Sequence, residues 1–181
     1  DSCFATPEPS AEPTPEPTTN NVMTDSNIRS AVHHWLDDAA KAELLYGHIQ
    51  DWDTSTVTDF SFLFCGRSDW SECHGNAGAF NEPLNDWDTS SVTTMDHMFY
   101  LASAFDQDLD GWDTSSVLTM EEMFVAASSF DGRLNAWDVS SVRDMRSLFE
   151  KASSFNQELA DWNPKKATSL QSMFSGCASF N

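Results

Sequence analysis

The sequence predicts an α/β repeat solenoid, a right-handed coil of about five stacked turns of 25 residues each. Phenylalanine recurs with that period, a Trp-Asp-Thr/Val-Ser motif follows the same period, and the stretch after the motif has helical apolar spacing. The recurring phenylalanines are Phe80, Phe105, Phe130, Phe155 and Phe180. Units repeated at a fixed period bury their apolar residues only when they stack on one another, so we expect one continuous core.

Each turn is predicted to contain one short extended leg and one helix. The stretch "LNDW" is too short for a helix, so we expect a brief strand that pairs with the next copy. In "SVTTMDHMFYLAS" the apolar residues fall at i, i+3, i+4 and i+7, one face of an α-helix. These residues are Met95, Met98, Phe99 and Ala102. Ser90 or Ser91 is predicted to cap this helix. Turns of this size and composition indicate a leucine-rich-repeat-like coil.

The predicted core consists of three aromatic columns that repeat from copy to copy. Large apolar side chains at a constant register are typical of interior positions in stacked repeats. The core residues are Phe80, Trp87, Phe99, Phe105, Trp112, Phe124, Phe130, Trp137, Phe149, Phe155, Trp162 and Phe174.

The chain divides into three segments. Residues 1–21 hold five of the seven prolines, which predicts a disordered or extended stalk rich in Pro, Glu and Thr. Residues 22–51 predict a helical N-terminal cap that begins at Thr24 or Asp25 and ends near Gly47. Residues 52–181 form the repeats. Their turns are predicted near 52–79 with an insertion at 65–74, and at 80–104, 105–129, 130–154 and 155–179.

The charge of the chain excludes several classes of partner. Asp and Glu number 29 against 9 Lys and Arg, a net charge of −20. This excess opposes binding to nucleic acid and to anionic lipid, both of which need a cationic face. An apolar run of about 18 residues is absent from the sequence, so we expect no membrane span. We expect an extracellular or cell-surface protein from which a signal peptide has been removed.

One acidic residue recurs beside hydroxyls in each copy. The column consists of Asp53, Asp88, Asp113 and Asp138, with Asn163 in the last copy. Stacked carboxylates repel each other by about 1 kcal/mol in water, so they need compensating contacts. Two arrangements supply them: Asx-type turns, in which each carboxylate accepts backbone N–H bonds, or a ladder of weakly bound calcium ions. We predict no enzyme and no cofactor other than this calcium, because no His or Lys recurs as a base beside the hydroxyls.

Two cysteines bracket the insertion. We predict a disulfide between Cys65 and Cys73, in keeping with the secretory character of the chain. The alternative is a zinc site made by these two cysteines and His74, but it lacks a fourth ligand.

The remaining candidate ligands are isolated. His33, His34 and Asp37 on the cap helix form either a metal pair or a solvated face, and His97 is predicted to lie on an exposed helix surface. Cys177 is predicted to be a small buried apolar residue, whereas Cys3 lies on the stalk and is free or bonded to a partner.

The repeats "FNEPLNDWDTSSVTTMDHMFYLASA" and "FDQDLDGWDTSSVLTMEEMFVAASS" resemble the BspA-like surface-protein repeats, the 25-residue class of mycoplasma lipoproteins and of algal and protist secreted proteins. The resemblance covers about residues 24–181. It implies a leucine-rich-repeat-like coil displayed outside the cell for adhesion or recognition, without catalytic residues. Lipoprotein members begin at a lipidated cysteine, whereas Cys3 is third here, so the resemblance does not extend to a lipid anchor.

The function predicted from these features is a non-enzymatic extracellular scaffold for adhesion, recognition or protein–protein interaction. One alternative is a structural subunit of a filament or larger assembly that stacks through an uncapped C-terminal edge, and another is a weak calcium-binding surface module. The sequence stops at Phe180-Asn181, the first two residues of another copy. We therefore expect a protein partner, a neighbouring copy or further repeats to cover this edge after Asn181.

Overall fold

A computed structural model of the chain describes residues 20–181. The predicted stalk, up to residue 19, and Cys3 lie outside the described residues. Helix α1 spans Ile28–Asp37 and helix α2 spans Ala39–Tyr46. Two 3₁₀ helices follow, at Ile49–Asp51 and Gly75–Ala79, and the rest of the described chain consists of turns, bends and coil joined by single bridges.

The N-terminal segment covers the first copy of the repeat. Asp25, predicted as a possible helix cap, lies outside α1, whose N-cap residue is Asn27. The Asp25 carboxylate instead accepts hydrogen bonds from the backbone N–H groups of Thr58 at 2.8 Å and Asp59 at 3.1 Å. Desolvation acts to raise the pKa of Asp25, but these two bonds and a third from the Thr58 hydroxyl together outweigh it and lower the pKa. The Asp25 carboxylate thus provides the hydrogen-bond acceptor for two backbone N–H groups at the outer side of the first copy.

The two helices meet at Asp38. This residue leaves the helical conformation, and its side chain accepts a hydrogen bond from the N–H of Lys41 at 3.2 Å, which caps the N-terminus of α2. Gly47 ends α2 with a φ of 76°, a left-handed conformation that glycine adopts without a steric cost.

The fold-class prediction of an α/β repeat solenoid is wrong. Residues 52–181, all of which the structure describes, contain no α-helix and no β-strand longer than a single bridge. Successive copies are connected by single parallel bridges, at Asp59–Thr94, Thr94–Thr119, Thr119–Asp144 and Asp144–Ser169. The leucine-rich-repeat-like coil with a strand leg and a helical leg is therefore not the architecture of this chain.

Left-handed residues explain why the helical spacing yields no helix. His97 and Leu101 both have a φ of 57°. A left-handed residue turns the backbone out of the right-handed path, so two of them within five residues exclude an α-helix. The following copies repeat the pattern at Glu122 and Ala126, Ser147 and Lys151, and Ser172 and Gly176. Ser90 and Ser91 consequently cap no helix.

The backbone bonds of this turn alternate between two kinds of partner. The N–H of His97 donates to the carbonyl of Glu121 in the next copy at 2.9 Å, and the N–H of Phe99 donates to that of Met123 at 2.8 Å. The N–H of Met98 lies between them and donates within the turn to the carbonyl of Met95 at 3.3 Å. Buried backbone groups are thereby paired without a helix or a continuous strand.

The core consists of stacked aromatic rings. The centroids of Phe105 and Phe130 are 5.9 Å apart, and those of Phe99 and Phe124 are 5.4 Å apart, with nearly parallel planes in both pairs. Such distances between parallel rings are those of favourable aromatic pairs. The Trp112 indole N–H donates to the carbonyl of Leu84 in the preceding copy at 2.8 Å. The tryptophan column therefore contributes both apolar packing and a hydrogen bond between copies.

Candidate interaction surface

The recurring aspartates form Asx-type turns. One oxygen of Asp88 accepts from the Ser90 N–H at 3.0 Å and from the Ser90 hydroxyl at 2.6 Å. Asp53 accepts from the N–H and hydroxyl of Ser55 in the same way, at 3.1 and 2.6 Å. The hydrogen bond from the Ser90 hydroxyl, followed by that from its N–H, holds the pKa of Asp88 below its usual range.

The two later aspartates of this column also accept hydrogen bonds from backbone N–H groups. Asp113 and Asp138 accept the N–H groups two residues ahead at 3.0 and 2.9 Å. Among residues 20–181, no group of three or more His, Cys, Asp or Glu side chains is placed to hold a metal ion. A calcium ladder along these aspartates stays a prediction that a titration can test.

The predicted disulfide is confirmed. Cys65 and Cys73 are bonded with an S–S distance of 1.99 Å and a Cα–Cα distance of 4.8 Å. Sulfur atoms bonded to each other cannot act as thiolate ligands, so the zinc alternative does not apply to this state. His74, the third residue of that alternative, has its Nε2 3.1 Å from the Asp37 carboxylate.

The cap histidines do not converge on a common point. The ring centroids of His33 and His74 are 5.2 Å apart with their planes tilted by 51°, whereas the Nδ1 of His34 lies 2.9 Å from the Tyr46 hydroxyl. The buried Nε2 of His33 has no hydrogen-bond partner in the described part of the chain. Burial lowers the pKa of His33, and the charges of His74 and Arg29 add to that effect. The contact between His33 and His74 joins the N-terminal cap to the insertion.

An aromatic cluster beside the insertion was not predicted. The Arg67 guanidinium lies 4.4 Å from the Trp70 ring centroid, and Trp70 packs 5.3 Å from Tyr100. His97 stacks on Phe62 at 4.8 Å, and its side chain is only 16% exposed. The prediction of an exposed helical His97 is therefore wrong. The signal in the sequence was the pair of aromatics, Trp70 and Tyr100, that no other copy repeats.

Three columns of the turn differ from copy to copy, and we call them the variable face. Every member is exposed or half-buried, in contrast to the aromatic columns beside it. The members are Thr93, His97, Leu101, Leu118, Glu122, Ala126, Arg143, Ser147 and Lys151. Backbone bonds of 2.8 Å from Leu118 to Thr93 and from Arg143 to Leu118 hold the first column together along the stack. The side chains of the variable face thus differ in chemistry from copy to copy, while the backbone that carries them repeats.

The last copy differs from the inner copies in its exposure, and we call its outer side the terminal edge. Leu170 is 48% exposed, whereas Met95, Met120 and Met145 in the same column are fully buried. The apolar residues of the terminal edge are Leu159, Trp162, Ala167, Leu170, Met173, Phe174, Cys177 and Phe180.

Cys177 is half-buried, so the prediction of a buried small residue holds only in part. Its Sγ donates to the Phe149 carbonyl at 2.8 Å, and desolvation raises the pKa of the thiol.

Within residues 20–181, no helix is both long enough and apolar enough to cross a lipid bilayer.

One protein family matches the chain. A family model described as "Mycoplasma protein of unknown function, DUF285" matches residues 38–112 and residues 68–181. The two matches together span most of the chain, and they support the resemblance to repeats of mycoplasma proteins. No curated protein and no solved structure matches the chain.

Proposed function

The chain belongs to the DUF285 family of Mycoplasma proteins of unknown function, and from this premise we propose that it is a non-enzymatic scaffold that recognises a protein partner outside the cell. The observation that carries this proposal is the division of each copy into constant buried columns and a variable face. A regular core fixes the backbone, so side chains on the variable face can differ without altering the stack.

The hydroxyls beside the aspartates support a non-enzymatic role because they bond to backbone. The Thr89 hydroxyl donates to the carbonyl of Asp113 in the next copy at 3.0 Å. The Ser91 hydroxyl donates to the carbonyl of Ser55 in the preceding copy at 2.9 Å. Groups engaged in this way join neighbouring copies, and no described base activates them as nucleophiles.

The chemistry of the variable face suits a protein partner. Leu101 is 37% exposed and Leu118 is 39% exposed, and beside them the Nε2 of His97 lies 3.4 Å from the Glu122 carboxylate. Exposed apolar residues surrounded by polar groups are typical of protein interfaces. The net charge of −20 favours a basic partner through electrostatic steering. The disulfide supports an extracellular location, because such bonds persist in oxidising compartments.

Site-specific photocrosslinking tests this proposal. A photoreactive amino acid replaces Leu118 on the variable face, and a matched variant carries it at Leu44 on α2, which is 72% exposed. Both proteins are added to the surface and medium of the producing cells. We expect a discrete crosslinked partner from position 118 and none from position 44. Equal crosslinking from both positions, or no adduct from position 118, would contradict recognition through the variable face.

A further inference from the structure

A cavity of about 350 Å³ lies between the N-terminal cap and the start of the second copy. It is lined by Trp35 of α1, by Asn76 and Ala79 of the second 3₁₀ helix, and by Phe80, Asn81 and Glu82. None of its described lining residues belongs to the variable face. Pockets that bind small molecules typically have volumes of about 300–1,000 Å³, so this cavity has the size of a small-ligand site.

The walls of the cavity are held in place by the contacts around them. Trp35 and Phe80 are only 6% and 5% exposed, so packing fixes both rings. Phe80 stacks on Phe64 with the ring centroids 4.2 Å apart. The side-chain amide of Asn76 donates to the Leu36 carbonyl of α1 at 3.1 Å, which joins the insertion to the cap. The cavity is therefore formed before a ligand binds, and this reduces the ordering cost of binding.

The cavity borders the first ring of the phenylalanine column. Phe105 has a ring of this column on each side, with the centroids of Phe80 and Phe130 6.0 and 5.9 Å away. Phe80 has Phe105 on one side, and no described ring precedes it in the column. A ring-shaped ligand in the cavity would thus lie against Phe80 at the beginning of the column.

Two N–H groups at the cavity have no acceptor in the described residues. The N–H of Asp106 donates to the Asn81 Oδ1 at 2.8 Å, and the next two copies repeat this bond between equivalent residues. The N–H of Asn81 itself and the indole N–H of Trp35 donate to no atom of residues 20–181. By contrast, the indole N–H of Trp52 donates to the Gly47 carbonyl at 3.1 Å. The cavity thus offers two donors to a ligand.

Glu82 offers an acceptor to the same ligand. Its carboxylate takes part in no hydrogen bond or ion pair within the described chain, and no Lys, Arg or His of that part lines the cavity. An anionic ligand would therefore be repelled by Glu82 without a cation to offset the repulsion. A simple ammonium ion would leave the two N–H groups without acceptors. An apolar ring would leave both N–H groups and the carboxylate unpaired.

We propose that this cavity binds a neutral pyranose unit of a glycan. A hydroxyl both donates and accepts hydrogen bonds, so a ring with several hydroxyls pairs with Glu82 and with the two N–H groups at once. The apolar C–H face of the same ring packs against Phe80 and Trp35, which removes apolar surface from water. This glycan site is additional to the variable face and to the protein partner proposed for it.

NMR titration of the full-length protein tests the inference. The probes are the methyl pyranosides of glucose, galactose, mannose, xylose and N-acetylglucosamine, each added up to about 50 mM because a ligand of this size binds weakly. We expect at least one of them to shift the Trp35 indole N–H and the Asn81 amide resonances saturably. Cyclohexanol and ethylammonium chloride are the control ligands, and we expect neither to saturate these shifts.

Protein variants place the binding in the cavity. Ala79→Leu fills the cavity from an exposed position and should abolish the response, whereas Ala160→Leu, at an exposed position of the last copy, should retain it. Glu82→Gln should weaken glycoside binding about tenfold, because the charged acceptor is lost. Glu43→Gln removes the same charge from the exposed side of α2 and should leave the affinity unchanged.

Three results would overturn the inference. The first is the absence of a saturable shift with every glycoside. The second is saturation by cyclohexanol or by ethylammonium at the same concentration, which would identify an apolar or a cation site instead. The third is a glycoside that binds the folded Ala79→Leu protein as tightly as the native protein, since the sugar would then bind elsewhere.

Discussion

Left-handed residues with side chains are a costly local feature of the repeats. Eight residues other than glycine have a positive φ in the described chain, and they recur in two columns of the turn. Each left-handed residue with a side chain costs roughly 1–2 kcal/mol relative to a right-handed one. The last copy has Gly176 in the second of these columns, where the inner copies have Leu101, Ala126 and Lys151. The conformation is thus set by the bonds between copies and not by the residue type.

We expect Ala126→Gly to stabilise the protein by about 0.5–1 kcal/mol. Glycine removes the steric cost of the φ of 55° at this position, and the added flexibility of the unfolded chain offsets part of the gain. Urea unfolding measures the difference. Ala127→Gly is the matched control, because this neighbour is fully buried and is not among the residues with a positive φ. We expect the control to lose stability, and a loss at both positions would contradict the argument.

The hydroxyl of Ser90 should affect stability in a pH-dependent way. Its bond to Asp88 is the largest cause that holds the pKa of this carboxyl below the usual value of about 4. A carboxyl with a lowered pKa in the folded state stabilises the protein above pH 4, and this stabilisation is lost as the pH falls through the folded-state pKa. We expect Ser90→Ala to lower the Tm at pH 6 and to differ little from the native protein near pH 2.

Ser115→Ala is the control for this experiment. Asp113 accepts the backbone N–H of Ser115 at 3.0 Å, and the described chain shows no bond from the Ser115 hydroxyl to that carboxylate. We expect a smaller Tm change than for Ser90→Ala, with little dependence on pH. A pH-dependent loss of the same size would show that the hydroxyl bond is not the cause.

At the scale of the element, the repeat period was predictable from sequence but the secondary structure within it was not. Aromatic residues 25 apart identify positions that stack, and residues such as Phe105 and Trp112 are buried between copies. The spacing of Met95, Met98 and Phe99 also fits a helix. The spacing of apolar residues indicates which side chains face the core. An α-helix and this left-handed turn both bring residues at that spacing to the core, so the spacing does not distinguish them. The residue type does not mark Leu101 as left-handed, and the column of His97 holds Glu122, Ser147 and Ser172 in the other copies, so no residue type recurs there as a signal.

The contacts at the candidate surfaces were predictable only where a local sequence pattern indicates them. The disulfide follows from two cysteines eight residues apart in one insertion. The bond of Asp25 to the first copy was missed, because the order of residues favours a helix cap at that position. The aromatic cluster of Trp70 and Tyr100 depends on how the insertion folds back over the turn, a contact that no local pattern records.

Truncating the same aromatic column should have different effects in inner and terminal copies. We expect Phe105→Ala to cost about 3–5 kcal/mol, because the fully buried ring packs between Phe80 and Phe130. Phe180→Ala should cost about 1–2 kcal/mol, since this ring is half-buried and packs against the preceding copy only on one side. Urea titration followed by linear extrapolation measures both losses. Equal losses would indicate that the terminal edge is covered in solution.

At the scale of the whole molecule, the first and the last copy of the described chain differ in how their backbone groups are covered, and the net charge is −20. At the first copy, the cap residue Asp25 accepts hydrogen bonds from two backbone N–H groups. In the described chain, the last copy leaves four backbone N–H groups without an acceptor and an apolar column uncovered. Regions with fewer buried contacts open locally at a lower free energy. Hydrogen exchange should consequently be fastest in the last copy of the described chain.

The net charge of −20 predicts that salt stabilises the protein, and the choice of cation tests the calcium ladder. Raising NaCl from about 10 mM to about 0.5 M shortens the Debye length from about 30 Å to less than 8 Å, which reduces repulsion between carboxylates and should raise the Tm. Magnesium and calcium at equal low-millimolar concentrations should raise the Tm equally, because Asp88 and its counterparts are engaged by backbone and hydroxyl donors. A larger rise with calcium, lost in Asp88→Asn, would instead establish a specific site. Asparagine can form the same turn without charge, so this variant separates ion binding from folding.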